Sequence, residues 1–240
     1  MPYDPSKPLL DATTTGTVAF GEWKTWYRIT GDLASGQAPV VALHGGPGGT
    51  HDYLLTMADL SRSGRPVIHY DQLGNGKSTR LRDKGVDFWT VQLFLGELQN
   101  LLDALGVADA YHIVGQSWGG MLAAEHAIRR PRGLRSVVIS DSPASMRLWL
   151  AAAATFRAQL PDDVQRTLNE HEAAGTTDSA EYQDAMEVFY DRHVCRIKPR
   201  PAELTATFAA IAEDATVYGT MNGPSAEVAR SGGDGPWNST

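Results

Sequence analysis

A single cysteine, Cys195, is present in the 240 residues, so no internal disulfide can form and nothing calls for an oxidising compartment. No base stands at a suggestive spacing from it, and it reads as a passive thiol in a helical region. Long apolar runs are absent as well: no stretch approaches the length of a membrane span. The first ten residues hold Pro2, Pro5 and Pro8 and lack the apolar core of a secretory signal. The expected location is therefore the cytoplasm. Positive charge is in deficit. A net charge of -7 opposes binding to nucleic acid or to an anionic membrane surface.

What is present is an ordinary globular composition, 42% hydrophobic and 20% charged, in a chain long enough for a sizeable core. Thr17 to Phe20 and Trp23 to Ile29 alternate apolar and polar residues and predict a hairpin. Val40 to Leu43 and Val67 to Tyr70 are short continuous apolar runs. Ile113-Val114 and Val137 to Ile139 are the centres of two more. Such runs predict strands buried on both faces. Helical spacing fills the gaps, over Trp89 to Leu105 with Gly106 as its stop, and over Trp118 to Arg130 before Pro131. The alternation predicts an α/β chain with a mostly parallel sheet covered on both faces.

After about Ser145 the chain reads as helix after helix. Leu148 to Gln159, a helix opened by Pro161-Asp162-Asp163, Ser179 to Val194 and Pro201 to Ala210 suggest a helical cap inserted after a strand. The expected division is a core over residues 1–144, a cap over 145–225, and a disordered Gly/Ser-rich tail over 226–240.

The chemistry centres on Gly115-Gln116-Ser117-Trp118-Gly119. Gly-x-Ser-x-Gly between a buried strand and a helix is the nucleophile elbow of the α/β-hydrolase fold, with Ser117 as nucleophile. The turn is tight, so its neighbours must be small, and Gly115 and Gly119 are. Gly120 lets strand and helix approach. The helix that starts at Trp118 aims its first amides where an oxyanion would form. The alternative is a glycine-rich turn with a solvated serine. His44-Gly45-Gly46-Pro47-Gly48-Gly49 follows the Val40 strand, where this fold places its second oxyanion donor. Gly46 is the first choice, Gly45 the second, and Trp118 supplies the other N–H. His44 is expected to pack and hydrogen-bond beneath this loop. Neither this run nor Asp71 to Ser78 carries the Lys and Ser/Thr of a P-loop or a Gly-x-Gly-x-x-Gly spacing. The second run reads as a tight turn braced by Asp71.

His-Gly-Gly-Pro-Gly, then Asp-Gln-Leu-Gly-x-Gly-x-Ser, then Gly-Gln-Ser-Trp-Gly-Gly resembles the proline iminopeptidase family and its L-amino-acid amidase relatives. The resemblance continues through Ser140 to Ser145 and Val217 to Ser225. It implies a serine hydrolase that removes an N-terminal residue, often proline, from peptides, amides or arylamides, with no metal and no organic cofactor. It also implies a carboxylate for the substrate's α-ammonium. The family's Asn-Gly-Pro-Ser-Glu becomes Asn-Gly-Pro-Ser-Ala-Glu here, so Glu227 is displaced by one position.

The partners of Ser117 are harder to find. In this fold the triad runs Ser, then Asp or Glu, then His. The histidines are His44, His51, His69, His112, His126, His171 and His193, and none follows the cap. No strand pattern follows it either. The expectation is a truncation, with a reading-frame change near Ala226, leaving an α/β-hydrolase core without its C-terminal strands, its sheet edge uncovered and prone to aggregation. Asp141, His171 and His193 are the candidates to substitute for the missing acid and base. Their structural readings are an entrance to the cap and solvated helix faces. Three functions stay open: an aminopeptidase or amidase, an esterase or lactonase on the same scaffold, and a non-catalytic remnant. Epoxide hydrolase and dehalogenase chemistry is disfavoured, because it needs Asp where Ser117 stands. The expected partner is a small peptide or amino-acid amide, and the oligomeric state is left open.

Overall fold

The structure, a computed structural model, describes residues 8–222. Glu227 and the 226–240 segment lie outside the described residues. Six strands form one sheet in the order β1-β2-β4-β3-β5-β6. They are β1 (Thr14–Phe20), β2 (Trp23–Thr30), β3 (Val40–Leu43), β4 (Val67–Asp71), β5 (Tyr111–Gln116) and β6 (Leu134–Ser140). β1 and β2 are antiparallel, with Phe20 opposite Trp23 across the two-residue turn Gly21-Glu22. Gly21 takes φ +61° there, which glycine accepts without a Cβ penalty. β2 joins β4 antiparallel, and β4, β3, β5 and β6 run parallel.

The apolar runs lie where their pattern puts them. Every residue of β3 and β4 is buried. α1 (Val91–Ala104) is capped by Thr90, whose hydroxyl accepts from Leu93 N–H, and Gly106 at φ +68° closes its far end. α2 (Trp118–Ile128) leaves β5 directly. The connection from β3 to β4 contains a 3-10 helical stretch, Asp52–Ser63, that the spacing did not suggest. Among the described residues, no helix is long and apolar enough to cross a membrane.

The described chain divides into two compact units. The second, Ala144–Pro201, holds α3 (Met146–Arg157), α4 (Asp162–Ala174) and α5 (Ala180–His193). Leu160, Leu168, Tyr182, Met186 and Phe189 form its core. Arg157 clamps α3 to α4 through both Glu172 oxygens, at 2.7 and 2.9 Å.

The first unit keeps everything to Pro143 and also takes Ala202–Met221. The expected cap of 145–225 is therefore corrected: α6 (Ala202–Glu213) and α7 (Thr216–Asn222) pack with the core. Thr207 Oγ1 on α6 lies 3.0 Å from Thr50 Oγ1. Asp214 accepts from Arg82 at 3.0 Å. Val217 and Met221 on α7 are buried. Nothing in the helical periodicity of α6 and α7 separates them from the cap helices, because a buried face reads the same whichever partner buries it.

Coverage of the sheet is uneven. Val138 and Ile139 of β6 are 52% and 53% exposed, so the expectation of a sheet covered on both faces fails at this strand. Among the described residues no strand follows β6.

One buried carboxyl braces the loop after β4. Glu97 on α1 is fully buried and accepts from Leu73 N–H through both oxygens, at 2.8 and 3.0 Å, and from Thr25 Oγ1 at 2.5 Å. Burial pushes its pKa up to about 7. Folding thus takes up a proton between the ordinary carboxylate value and about 7, and the stability this contributes is lost as pH rises through that value. Glu97→Gln should remove this loss. Denaturation at pH 5 and pH 8 should show the variant gaining on the natural chain by about 1.4 kcal/mol for each unit of the shift. Parallel pH profiles for the two proteins would refute the assignment.

Candidate active site

Ser117 sits between β5 and α2 with φ +54° and ψ -123°, a conformation that a non-glycine residue holds only when its surroundings impose it. The surroundings are backbone. A Cβ on Gly115 would collide with the Gly119 carbonyl, and one on Gly119 with the carbonyls of Leu43 and His44. A Cβ on Gly120 would lie 2.7 Å from Ser142 Oγ. Two hydrogen bonds hold the serine's own backbone. Ser117 N–H donates to Ser140 O at 2.9 Å, and Ser142 Oγ donates to Ser117 O at 2.7 Å.

The glycine loop after β3 lies against this elbow. A Cβ on Gly45 would stand 3.1 Å from Ser117 Cβ, so the two main chains are in close approach. Gly46 has φ +122°, and a Cβ there would meet the amides of Gly48 and Gly49 at 2.5 and 2.6 Å. The Gly45 amide has a partner that the sequence did not disclose. It donates to Tyr53 Oη at 2.6 Å, and that hydroxyl donates to Gln116 Oε1 at 2.7 Å. The phenol thus occupies the Gly45 N–H in this structure. Burial raises the Tyr53 phenol well above its ordinary pKa, so it stays protonated and can donate. Tyr53 comes from the unforeseen 3-10 stretch, and no motif marks it.

His44 is where packing arguments placed it. It is fully buried beneath the loop. Gln72 N–H donates to Nε2 at 2.9 Å, so Nδ1 carries the proton and donates to Gly45 O at 2.9 Å. Burial lowers its pKa, which agrees with a neutral ring. Gln72 ties the parts together, donating from Nε2 to His44 O at 3.0 Å and accepting Trp118 Nε1–H at 2.8 Å. The Trp118 indole is thus packed and 2% exposed, not the wall of an open apolar pocket. Asp71 braces its turn as expected. Burial opposes its charge, but the His51 ring and the Lys77 N–H outweigh that and hold its pKa below the usual value. α7 closes over both loops: a Cβ on Gly48 would be 2.8 Å from Tyr218, and one on Gly74 would be 2.5 Å from Val217.

All seven histidines are among the described residues. None of the five in the first unit hydrogen-bonds Ser117. His44 serves the loop, His51 serves Asp71 at 2.8 Å, and His69 Nε2 donates to Leu54 O at 3.0 Å. His112 pairs with Ser136 Oγ at 2.7 Å and His126 with the Tyr111 hydroxyl at 2.6 Å. In the second unit, His171 Nδ1 meets the hydroxyls of Thr176 and Ser179, and His193 stacks on Phe156 at 4.8 Å. Asp141 follows β6 at φ +45° and accepts from Ser140 Oγ at 3.0 Å. Among the described residues no cluster of His, Cys, Asp and Glu could hold a metal ion.

Two substitutions check this construction. Gly119→Ala should cost about 3 kcal/mol or more by denaturant midpoint, since the obstacle is backbone, whereas Gly85→Ala, with open space around it, should cost little. Tyr53→Phe should cost about 1–3 kcal/mol, because it leaves the Gly45 N–H and the Gln116 carbonyl without their shared partner. Equal stability of Gly119→Ala and Gly85→Ala would contradict the crowding described.

Comparison with known proteins places these features. Residues 38–220 match the α/β-hydrolase fold family. A proline iminopeptidase of Lactobacillus delbrueckii subsp. lactis is 40% identical over 182 residues, which is 75% of this chain and 61% of that protein. The chain thus spans about three fifths of the length of the curated relatives it matches. The crystal structure of proline iminopeptidase from Mycobacterium smegmatis is 46% identical, with a TM-score of 0.81, and the match covers 93% of this chain and 74% of that one. The crystal structure of VinJ is 62% identical, with a TM-score of 0.88, over 90% of this chain and 73% of that one. With a strained Ser117 elbow, a glycine loop packed on it and these likenesses, the chain belongs to the α/β-hydrolase family and, within it, to the proline iminopeptidases.

Proposed function

We propose that Ser117 is the nucleophile of a serine hydrolase that releases a proline-like N-terminal residue from peptides, amino-acid amides or arylamides. The observation that carries this reading is the elbow itself: Ser117 held at φ +54° with the His44–Gly49 loop against it. In the proposed reaction Ser117 Oγ attacks the carbonyl carbon of the N-terminal residue. The carbonyl oxygen becomes an oxyanion facing the amides of Gly46 and Trp118. The bond to the leaving amine breaks, the amine departs with a proton, and water then frees the acyl group from Ser117. Glu227 belongs to the same reading, as a carboxylate for the substrate's α-ammonium.

The first step needs a base to take the serine proton. No histidine of the first unit is bonded to Ser117, and this favours a second reading, in which the 240-residue chain retains the elbow but does not turn substrate over. Proline p-nitroanilide and a p-nitrophenyl ester, offered to the natural chain and to Ser117→Ala, separate the readings. The first expects release of p-nitroaniline that Ser117→Ala abolishes, by on the order of 10⁴-fold or more. Release that is equal in the two proteins, or absent from both, overturns it and leaves the second. Turnover of the ester alone, lost in the variant, would assign an esterase.

A further inference from the structure

Glu97 is fully buried on α1, and the groups that bond its carboxyl are neutral: the Leu73 N–H, which reaches both oxygens, and the Thr25 hydroxyl. Among the described residues no lysine, arginine or histidine pairs with it. Burial favours the neutral acid, while hydrogen bonds donated to the carboxyl favour the anion. The two effects oppose each other and leave the group poised, with burial the larger and the pKa brought up to about 7. Two other titratable groups face it. Tyr70 on β4, itself fully buried, is kept protonated by burial and by the Glu97 charge. Asp71, whose burial is outweighed by the His51 ring and the Lys77 N–H, stays ionised, and its charge further favours the acid form of Glu97. Of these three groups, Glu97 alone changes charge near neutrality.

That change falls where it can be passed on. A carboxylate accepts a hydrogen bond more strongly than the neutral acid, so the bond from Leu73 N–H tightens when the proton leaves. Leu73 N–H and Gln72 C=O share one planar peptide, so Gln72 follows. Every polar group of Gln72 is bonded. Its C=O accepts from Asn75 N–H at 3.0 Å, and its N–H donates to His44 Nε2 at 2.9 Å. Its side chain donates to His44 O at 3.0 Å and accepts Trp118 Nε1–H at 2.8 Å. Gln72, Leu73, His44 and Trp118 are all buried, so packed neighbours rather than solvent take up any turn of that peptide. Trp118 is the residue after Ser117, and His44 carries the glycine loop.

We propose that Glu97 is a positioning residue for the Ser117 site: its proton is felt, through Gln72, at the Trp118 indole and at His44. The inference concerns the frame of the site and is independent of whether Ser117 turns over substrate.

NMR of the full 240-residue chain tests it. Trp118→Phe identifies the Trp118 Nε1–H among the six indole resonances. Between about pH 5 and about pH 9 that resonance should move with one midpoint at about 7, and the Leu73 amide with it. In Glu97→Gln, which keeps the shape and has no proton to lose, both should stand still. In Gln72→Met the Leu73 amide should still titrate while the indole does not. Thr25→Val removes a hydrogen bond that favours the anion, and should raise the midpoint of the indole shift by about one pH unit. Thermal melts check that each variant is folded, and Thr25→Val, which keeps its shape, decides if a buried polar variant fails to fold. An indole resonance that does not move in the natural chain overturns the proposal, as does an unchanged midpoint in Thr25→Val. So does movement that persists in Glu97→Gln, since His51 or another group would then be its source. Movement that persists in Gln72→Met also overturns it, since the carboxylate would then act on the indole through space.

Discussion

The site depends on how closely three main chains can approach at the start of α2. Gly119 rests on the carbonyls at the end of β3, and Gly115 rests on Gly119, with no side chain between them. That crowding brings the glycine loop, the nucleophile and the first amides of α2 to one point. It also accounts for the backbone of Ser117, which takes φ +54° because strand and helix leave the turn no room for another path. The strain is local, and the bonds to Ser140 and from Ser142 on either side of the residue oppose its relaxation.

Around this point polar groups from several loops are joined by hydrogen bonds. His44, Gln72 and Trp118 join the loop after β3, the loop after β4 and the start of α2 by hydrogen bonds whose donors and acceptors match one tautomer of one histidine. Tyr53 does the same for Gly45 and Gln116. Asp71 and Glu97 then hold the β4 loop from below, one charged and bonded, the other protonated below about pH 7. Buried polar groups left half-satisfied would cost more than an apolar core, so each of these pairings stabilises the site. The consequence is a frame that holds the glycine loop and the start of α2 around Ser117.

Much of this frame was legible. β3 and β4 announced themselves as continuous apolar runs, and Gly-x-Ser-x-Gly after such a run predicts the elbow for steric reasons alone. The position of His44 beneath its loop followed from its place at a strand end. Tyr53 was not legible, because its partners are a backbone amide and a glutamine brought to it by tertiary folding, and neither leaves a spacing in the chain. The placing of the Trp118 indole was not legible either, because only the position of Gln72 shows that it is fastened inward. The assignment of α6 and α7 failed for a related reason. Helical periodicity reports that a face is buried, while the pairs Thr50–Thr207 and Arg82–Asp214, remote in sequence, decide against what.

The elbow and the end of β6 are connected more directly than their positions in the sequence suggest. The residue that accepts the Ser117 N–H, Ser140, ends β6, and the residue that donates to its carbonyl, Ser142, lies two positions beyond. β6 and the residues just after it therefore hold both backbone groups of the nucleophile. The geometry of Ser117 therefore depends on the end of β6 as well as on the glycines that crowd the elbow.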